Sequence, residues 1–364
     1  MSASVTRDLA GWLHSVRLDH VPDRVRTRAK HVLLDGVGCA FVGARLPWSV
    51  TATDVLCALE GDGPVPLIGA GRATTPSAAA LLNSSYVQGF ELDDYHPIAP
   101  VHGAALVLPA MLSVPVQASG AELLLGAIRG FEVGPRVGLA LHGAQMLTRG
   151  WHSGPVFGGP AAAAAAGTLY GLTQEGFEDA LGLAATQACG LMAAQFESMG
   201  KRMQHGFAAR NGLLAAALAA GGYTGIKQVF ERPYGGFLSV FGEGHDPDPS
   251  QLTDGLGERW ETEVIAIKPY AAMAGLHASI DAARELLPVD TDAVESIVIS
   301  VSEPAFHHGG WLAERPLTAV GAQMNLAYAV AVTLLDGTAL AAQFSPERID
   351  ADDVWELIEK TTVR

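Results

Sequence analysis

Cysteine is nearly absent. Cys39, Cys57 and Cys189 are the three in a chain of 364 residues, too few and too scattered for a disulfide framework. There is no CxxC for a structural zinc site and no spaced cysteine set for an iron–sulfur cluster. A reducing compartment, the cytoplasm, is the expectation. Charge is scarce too, at 17% of residues, and 23 basic against 38 acidic side chains leave a net −15. Nucleic acid and anionic membrane surfaces both want a basic patch, so neither is an expected partner. With 49% hydrophobic residues the chain is not a disordered or solvating one. Long apolar runs are missing as well. The uncharged stretches 101–121 and 154–173 hold prolines or consist mostly of Ala and Gly, and read as buried, closely packed helices rather than membrane spans. The opening MSASVTRDLAGWLHSV has no apolar signal core. No GxSxG elbow, P-loop or HExxH occurs, and GDGPVPLIGAGRAT lacks a clean GxGxxG.

What is present is mostly helical. Pro22 suits a first turn, and Val25, Ala29, Val32, Leu33, Gly36 and Val37 follow at helical spacing. The pattern predicts further helices over 75–90, 103–118, 120–140, 158–171, 174–186 and 204–220. It changes near 264, where VIAIKPY reads as a strand ending at Pro269. A helix over 273–287, a strand in SIVISVSEP (296–304) and helices over 321–335 and 350–361 follow. The expected organisation is an all-helical domain over 1–265 and a smaller α+β domain over 266–364, mainly α in class.

Polar residues cluster in four segments. ELDDYHPIAPVH carries Glu91, Asp93, Asp94, His96 and His102 in a proline-containing loop between two helices. A carboxylate beside an imidazole can orient it and raise its basicity, although a solvated turn would also be rich in Asp. Metal ligation by Asp and His is a lesser reading, without ligand spacing to support it. GWHSGPVFG sets His152 between glycines that allow close backbone approach to a ligand, or simply places a histidine under Trp151. KRMQHGFAARNG puts Lys201 and His205 four apart, on one helical face with Ala208, Ala209 and Gly212. A cation pair on a face that small and apolar needs a reason. An anionic ligand is the favoured one and a salt bridge to the loop at 91–94 the plainer one. IKPYAAMAGLHASID gives Lys268, Tyr270 and His277 at the expected domain boundary, where clefts often form. His307 and His308 read as an exposed loop pair. Lysine is rare, with five in all, so two beside histidines stand out.

Taken together, VPDRVRTRAKHVLLDGVGCAFVGA, ELDD with VHGAALVLPA, GWHSGPVFG, KRMQHGFAARNGLLAAALAAGGYTG, GGFLSVFG, KPYAAMAGLHASID and AQMNLAYAVAVTLLDG resemble the MmgE/PrpD family from residue 9 onward. The resemblance implies a large all-helical domain, a smaller α+β lid, a homodimer, and an active site between the domains that uses no cofactor or metal. Against the family the lid is C-terminally shortened, Glu91 replaces the first Asp of the acidic loop, and Asn325 and Ala327 alter the late motif. By position, Asp93, His102, His152, Lys201 and His277 would be catalytic. Asp94, His205, Lys268, Tyr270 and Tyr328 would bind substrate. The implied activity is a lyase on a small di- or tricarboxylic acid, foremost a dehydratase of the 2-methylcitrate or citrate type. A cis-aconitate-type decarboxylase, an iminodisuccinate-type epimerase and a non-catalytic carboxylate-binding remnant are the alternatives. Water elimination needs a base at carbon and an acid at the leaving hydroxyl, which histidine suits near neutral pH. The substrate's carboxylates need cations, for which Lys201, Lys268, His152 and His277 are the candidates.

Overall fold

The computed structural model describes residues 4–364, and the chain is mainly α. It forms two compact units. The first takes in the residues up to Gly89, then Asp93–Leu191 and Arg202–Ile267; the second takes in Phe90–Leu92, Met192–Lys201 and Lys268–Arg364. The second unit therefore draws two short segments from the first 265 residues, one carrying Glu91 and one carrying Lys201.

The first unit begins with α1 (Val5–Ser15), α2 (Asp23–Gly43), α3 (Pro47–Glu60), α4 (Pro76–Val87), α5 (Gly103–Leu112) and α6 (Gly120–Ala140). After these come α7 (Ala144–Thr148), α8 (Ser153–Leu169), α9 (Gln174–Ala185), α10 (Gly200–Ala220, in this unit from Arg202 onward), α11 (Phe237–Phe241) and α12 (Glu261–Val264). At the start of α6, Ser119 and Glu122 form a reciprocal capping box. α8 runs from Ser153 to Gly167 without an exposed residue, as a helix apolar all round must. It packs against α5, α6 and α9. Small residues set the spacing. A Cβ on Gly130 of α6 would lie 2.9 Å from the Ala161 carbonyl oxygen, and one on Gly212 of α10 would lie 2.6 Å from that of Gly159. Only glycine permits those approaches.

In the second unit are α13 (His277–Glu285), α14 (Glu303–Gly309), α15 (Ala319–Gln323), α16 (Leu326–Asp336), α17 (Pro346–Ile349) and α18 (Asp352–Glu359). Here α16 is the core helix, buried from Leu326 to Leu334, capped by Asn325 accepting from the Tyr328 N–H and stopped by left-handed Gly337 at φ 78°. α13 and α18 pack on it.

Several expectations change. The first 265 residues are not wholly helical, because β1 (Val65–Pro66) and β2 (Ala73–Thr74) form a small antiparallel hairpin. Two-residue strands are too short to carry a periodicity. The strand expected over 264–270 does not form. Val264 ends α12, and Ala266 makes one isolated bridge to Tyr95; Pro269, without an N–H, cannot extend a ladder. The strand in 296–304 shrinks to β3 (Ile297–Ile299), paired in parallel with β4 (Thr361–Val363). His307 and His308 lie on α14, not in a loop, and His308 is buried, which lowers its pKa.

Candidate functional site

Polar side chains gather in two clusters, one in each unit. The first is built on the N-termini of two buried helices. His102 is the residue before α5 and His152 the residue before α8. Each segment reads as a histidine, then small residues, then an apolar run, because the helix that follows is interior.

Asp94 makes the α5 end possible. Its two oxygens accept from the Gly103 and Ala104 N–H groups, each at 2.9 Å, and so satisfy donors a helix start leaves orphaned. The substrate-binding role expected of Asp94 is therefore replaced by a structural one, with both oxygens holding the turn beneath His102. Burial, and next the Asp93 carboxylate, push its pKa well above the ordinary value, against the pull of the two N–H groups.

Asp93, the other member of the pair, faces the His102 imidazole. It is wholly buried, with Oδ2 3.0 Å from Nδ1 of His102, whose side chain keeps 16% exposure. The approach is close but does not have the alignment of a hydrogen bond; a carboxylate on this side of the ring favours a proton at Nδ1 and leaves Nε2 as the nitrogen for proton exchange. The His102 and His152 rings each meet the buried His205 ring edge-on, at 5.1 and 4.9 Å between centroids. His205 therefore stands between the other two imidazoles. A Cβ on Gly154 would lie 2.2 Å from its Nε2. The glycine expected to admit a ligand instead admits His205. His152 Nδ1 lies 2.7 Å from Oε1 of Gln204, a residue the motif reading passed over. His96, from the same acidic loop, is structural: its ring bonds Glu261 and the Ala99 N–H.

The second cluster centres on Glu91, in left-handed conformation at φ 61°. One carboxylate oxygen accepts from Lys201, and the other lies 3.0 Å from Lys268 Nζ, which also donates to the Glu91 carbonyl at 3.2 Å. All three side chains are no more than 4% exposed. The salt bridge to the acidic loop, the plainer alternative for Lys201, is thus present, and Glu91 is the residue that supplies it. Gln323 steadies the loop by donating to the Phe90 and Ala271 carbonyls.

His277 heads α13 beside this cluster, with Nε2 3.0 Å from the Ala272 carbonyl. Burial first, then the Lys268 charge, lower its pKa to about 4. Near neutral pH it is uncharged, so the expectation that it would supply a cation is corrected. Tyr270 packs edge-on against His277, while its hydroxyl donates to Asp281 and accepts from Arg284. The Tyr328 hydroxyl donates to the Gln343 carbonyl and is buried in the core, which raises its pKa. Both tyrosines spend their hydroxyls within the fold.

Chemically, the first cluster is suited to moving protons and the second to holding an anion. Among the described residues no set of three or more His, Cys, Asp or Glu side chains is arranged to hold a metal ion. Among them, too, no helix is long and apolar enough to cross a membrane.

Comparison with known proteins bears on the reaction. The MmgE/PrpD N-terminal domain matches residues 7–250, and the MmgE/PrpD C-terminal domain matches residues 270–364. A cis-aconitate decarboxylase-like protein of Aspergillus oryzae is 48% identical over 381 residues, covering 99% of this chain and 79% of that protein. A cis-aconitate decarboxylase of Aspergillus terreus is 42% identical over 382 residues, with 99% and 78% covered. A human cis-aconitate decarboxylase is 27% identical over 387 residues, with 99% and 76% covered. The chain belongs to the MmgE/PrpD family.

Proposed function

We propose that this chain is a cofactor-independent carboxy-lyase that decarboxylates cis-aconitate or a close unsaturated tricarboxylic acid. The observation that carries the proposal is the Asp93–His102 pair, a buried carboxylate 3.0 Å from a partly exposed imidazole. The names of the relatives favour carbon dioxide loss over the dehydration that the sequence put first. Sequence joins this pair to the lysine cluster twice, since Glu91 precedes Asp93 by two residues and Lys201 precedes His205 by four.

The reaction breaks the bond between a carboxyl carbon and its neighbour. Carbon dioxide leaves, and the electron pair it leaves behind spreads over the adjacent double bond and its carboxylate. A proton then adds at carbon. In this reading His102, as imidazolium, delivers that proton from Nε2, while Asp93 stabilises the charged ring through Nδ1. Lys201 and Lys268 neutralise carboxylates that stay on the substrate. The working form is taken to be a cytoplasmic homodimer, an assembly that light scattering on the purified protein tests.

The deciding experiment follows carbon-13-labelled cis-aconitate by NMR with the purified chain. Release of labelled carbon dioxide with a matching alkene product supports the proposal. Hydration or dehydration without carbon dioxide loss would return the function to the dehydratase reading. A thermal shift with cis-aconitate but no product would favour a non-catalytic binder.

A further inference from the structure

The amide of Gln204, one residue before His205 on α10, is held at both ends by one backbone residue. Oε1 accepts from the Leu191 N–H at 3.1 Å, and Nε2 donates to the Leu191 carbonyl at 3.1 Å. That pairing fixes which end is oxygen, since the flipped amide would set donor against donor and acceptor against acceptor. The same Oε1 lies 2.7 Å from Nδ1 of His152. An amide oxygen only accepts, so Nδ1 must carry a hydrogen. In the neutral ring Nε2 then holds the lone pair. Gln204 also borders the turn that shapes this end of α8, because the His152 N–H donates to the Gly190 carbonyl and Trp151 bridges Leu191.

We propose that Gln204 is a positioning residue for the decarboxylation. It locks His152 in the Nδ1–H tautomer and so makes its Nε2 a hydrogen-bond and proton acceptor. This rests on the carboxy-lyase reading. It gives the two histidines that precede α5 and α8 different work. His102 is backed at Nδ1 by a carboxylate that stabilises its charged form; His152 is backed by a neutral amide that does not. His102 is thereby matched to giving a proton. His152 is matched to accepting one from a substrate carboxyl or hydroxyl group, rather than to serving as the cation the sequence suggested.

The test has two readouts. In protein labelled with nitrogen-15 in its histidine rings, the His152 resonances are assigned by their loss in His152→Gln. At a pH where the ring is neutral, the intact chain should show a hydrogen on Nδ1 and a bare Nε2. Gln204→Ala should shift the population toward the Nε2–H form that an unconstrained imidazole favours. A bare Nδ1 in the intact chain, or a tautomer unchanged in Gln204→Ala, overturns the proposal. Neither result depends on turnover, so the proposal and the carboxy-lyase reading fail separately.

The second readout is the pH profile of kcat/KM on cis-aconitate. Gln204→Ala should lower kcat roughly tenfold or more, with a smaller change in KM. Gln204→Glu keeps an acceptor for both His152 and the Leu191 N–H but adds charge. It should move the acid limb of the profile to higher pH by favouring the imidazolium. A fall in kcat with an unmoved limb in Gln204→Glu would reduce Gln204 to a structural role and overturn the proposal.

Discussion

In the first unit a buried carboxylate, Asp93, faces the imidazole His102. In the second, Glu91 faces two ammonium groups, Lys201 and Lys268. The difference lies in what each partner does with a proton. Imidazole ordinarily titrates near neutral pH and ammonium far above it. The first arrangement, an imidazole facing a carboxylate, is the kind that acid–base catalysis uses. The second keeps its charges and turns them into a fixed field. Burial accentuates the contrast, because charge that cannot be neutralised in place must be paired. His277 supports the division: beside Lys268, with its pKa near 4, it has given up its positive charge.

The largest expected effect comes from removing the proton carrier. His102→Ala should lower kcat on cis-aconitate about 10²- to 10⁴-fold and also lower the melting temperature, since it leaves the wholly buried Asp93 without its facing imidazole, although α5 keeps its Asp94 cap. Steady-state kinetics and a thermal melt check it together. Near-normal turnover would break the comparison, because the first cluster would then have no proton to give.

Glu91→Gln should act on stability more than on chemistry. It leaves two buried ammonium groups without the carboxylate they share, a kind of loss worth roughly 3–5 kcal/mol. Urea denaturation with and without cis-aconitate measures it. An anionic ligand should restore part of the loss, because it binds the folded state. His102→Ala should show no such enhanced rescue. Equal ligand effects on both variants would erase the distinction between a proton-moving cluster and a charge-holding one.

The His277 imidazole gives a pH test of the second cluster. Its folded-state pKa, about 4, lies below the ordinary 6.5. The unfolded chain therefore takes up a proton first as pH falls. Stability from this group is complete above pH 6.5 and is lost between there and pH 4, by at most about 3 kcal/mol. Urea midpoints at pH 7 and pH 4.5 for the natural chain and His277→Asn isolate the effect, since Asp94, whose pKa is raised, pulls the other way in both proteins. A variant that lost stability as steeply as the natural chain would count against a buried neutral imidazole.

The helices were legible where small and apolar residues recur at helical spacing, as in α6, whose span 120–140 is the one observed. α8 begins at Ser153 rather than 158, because Pro155 reads as a breaker although the first turn of a helix tolerates proline. In the site, Asp93, His102, His152, Lys201 and Lys268 were legible as candidates, and a Lys201 salt bridge to the loop at 91–94 was one of the readings, but that Glu91 would supply it and hold Lys268 as well was not. Glu91 meets Lys201 across 110 positions and Lys268 across 177, and no local spacing encodes that. The tyrosines misled for the same reason, since Tyr328 gives its hydroxyl to Gln343 only once α16 has folded. Gln204 was overlooked because an amide carries no charge to draw notice between Lys201 and His205.

The smallest effect tests whether the glycine in the first turn of α8, Gly154, serves the histidines. Gly154→Ala would place a methyl group 2.2 Å from His205 Nε2, so the ring must shift. Overpacking of this kind costs about 1–3 kcal/mol. Alanine itself suits a helix better than glycine, by up to about 1 kcal/mol, so the net loss in melting stability should be modest. Activity should fall more than stability, because the displaced ring is the one that both His102 and His152 meet edge-on. Lysine-cluster readouts, such as the stability restored to a Glu91→Gln background by cis-aconitate, should not move. An alanine that left kcat untouched would mean that the His205 ring can yield without disturbing its neighbours. The first cluster would then reduce to Asp93 with His102, and His152 would act apart from them.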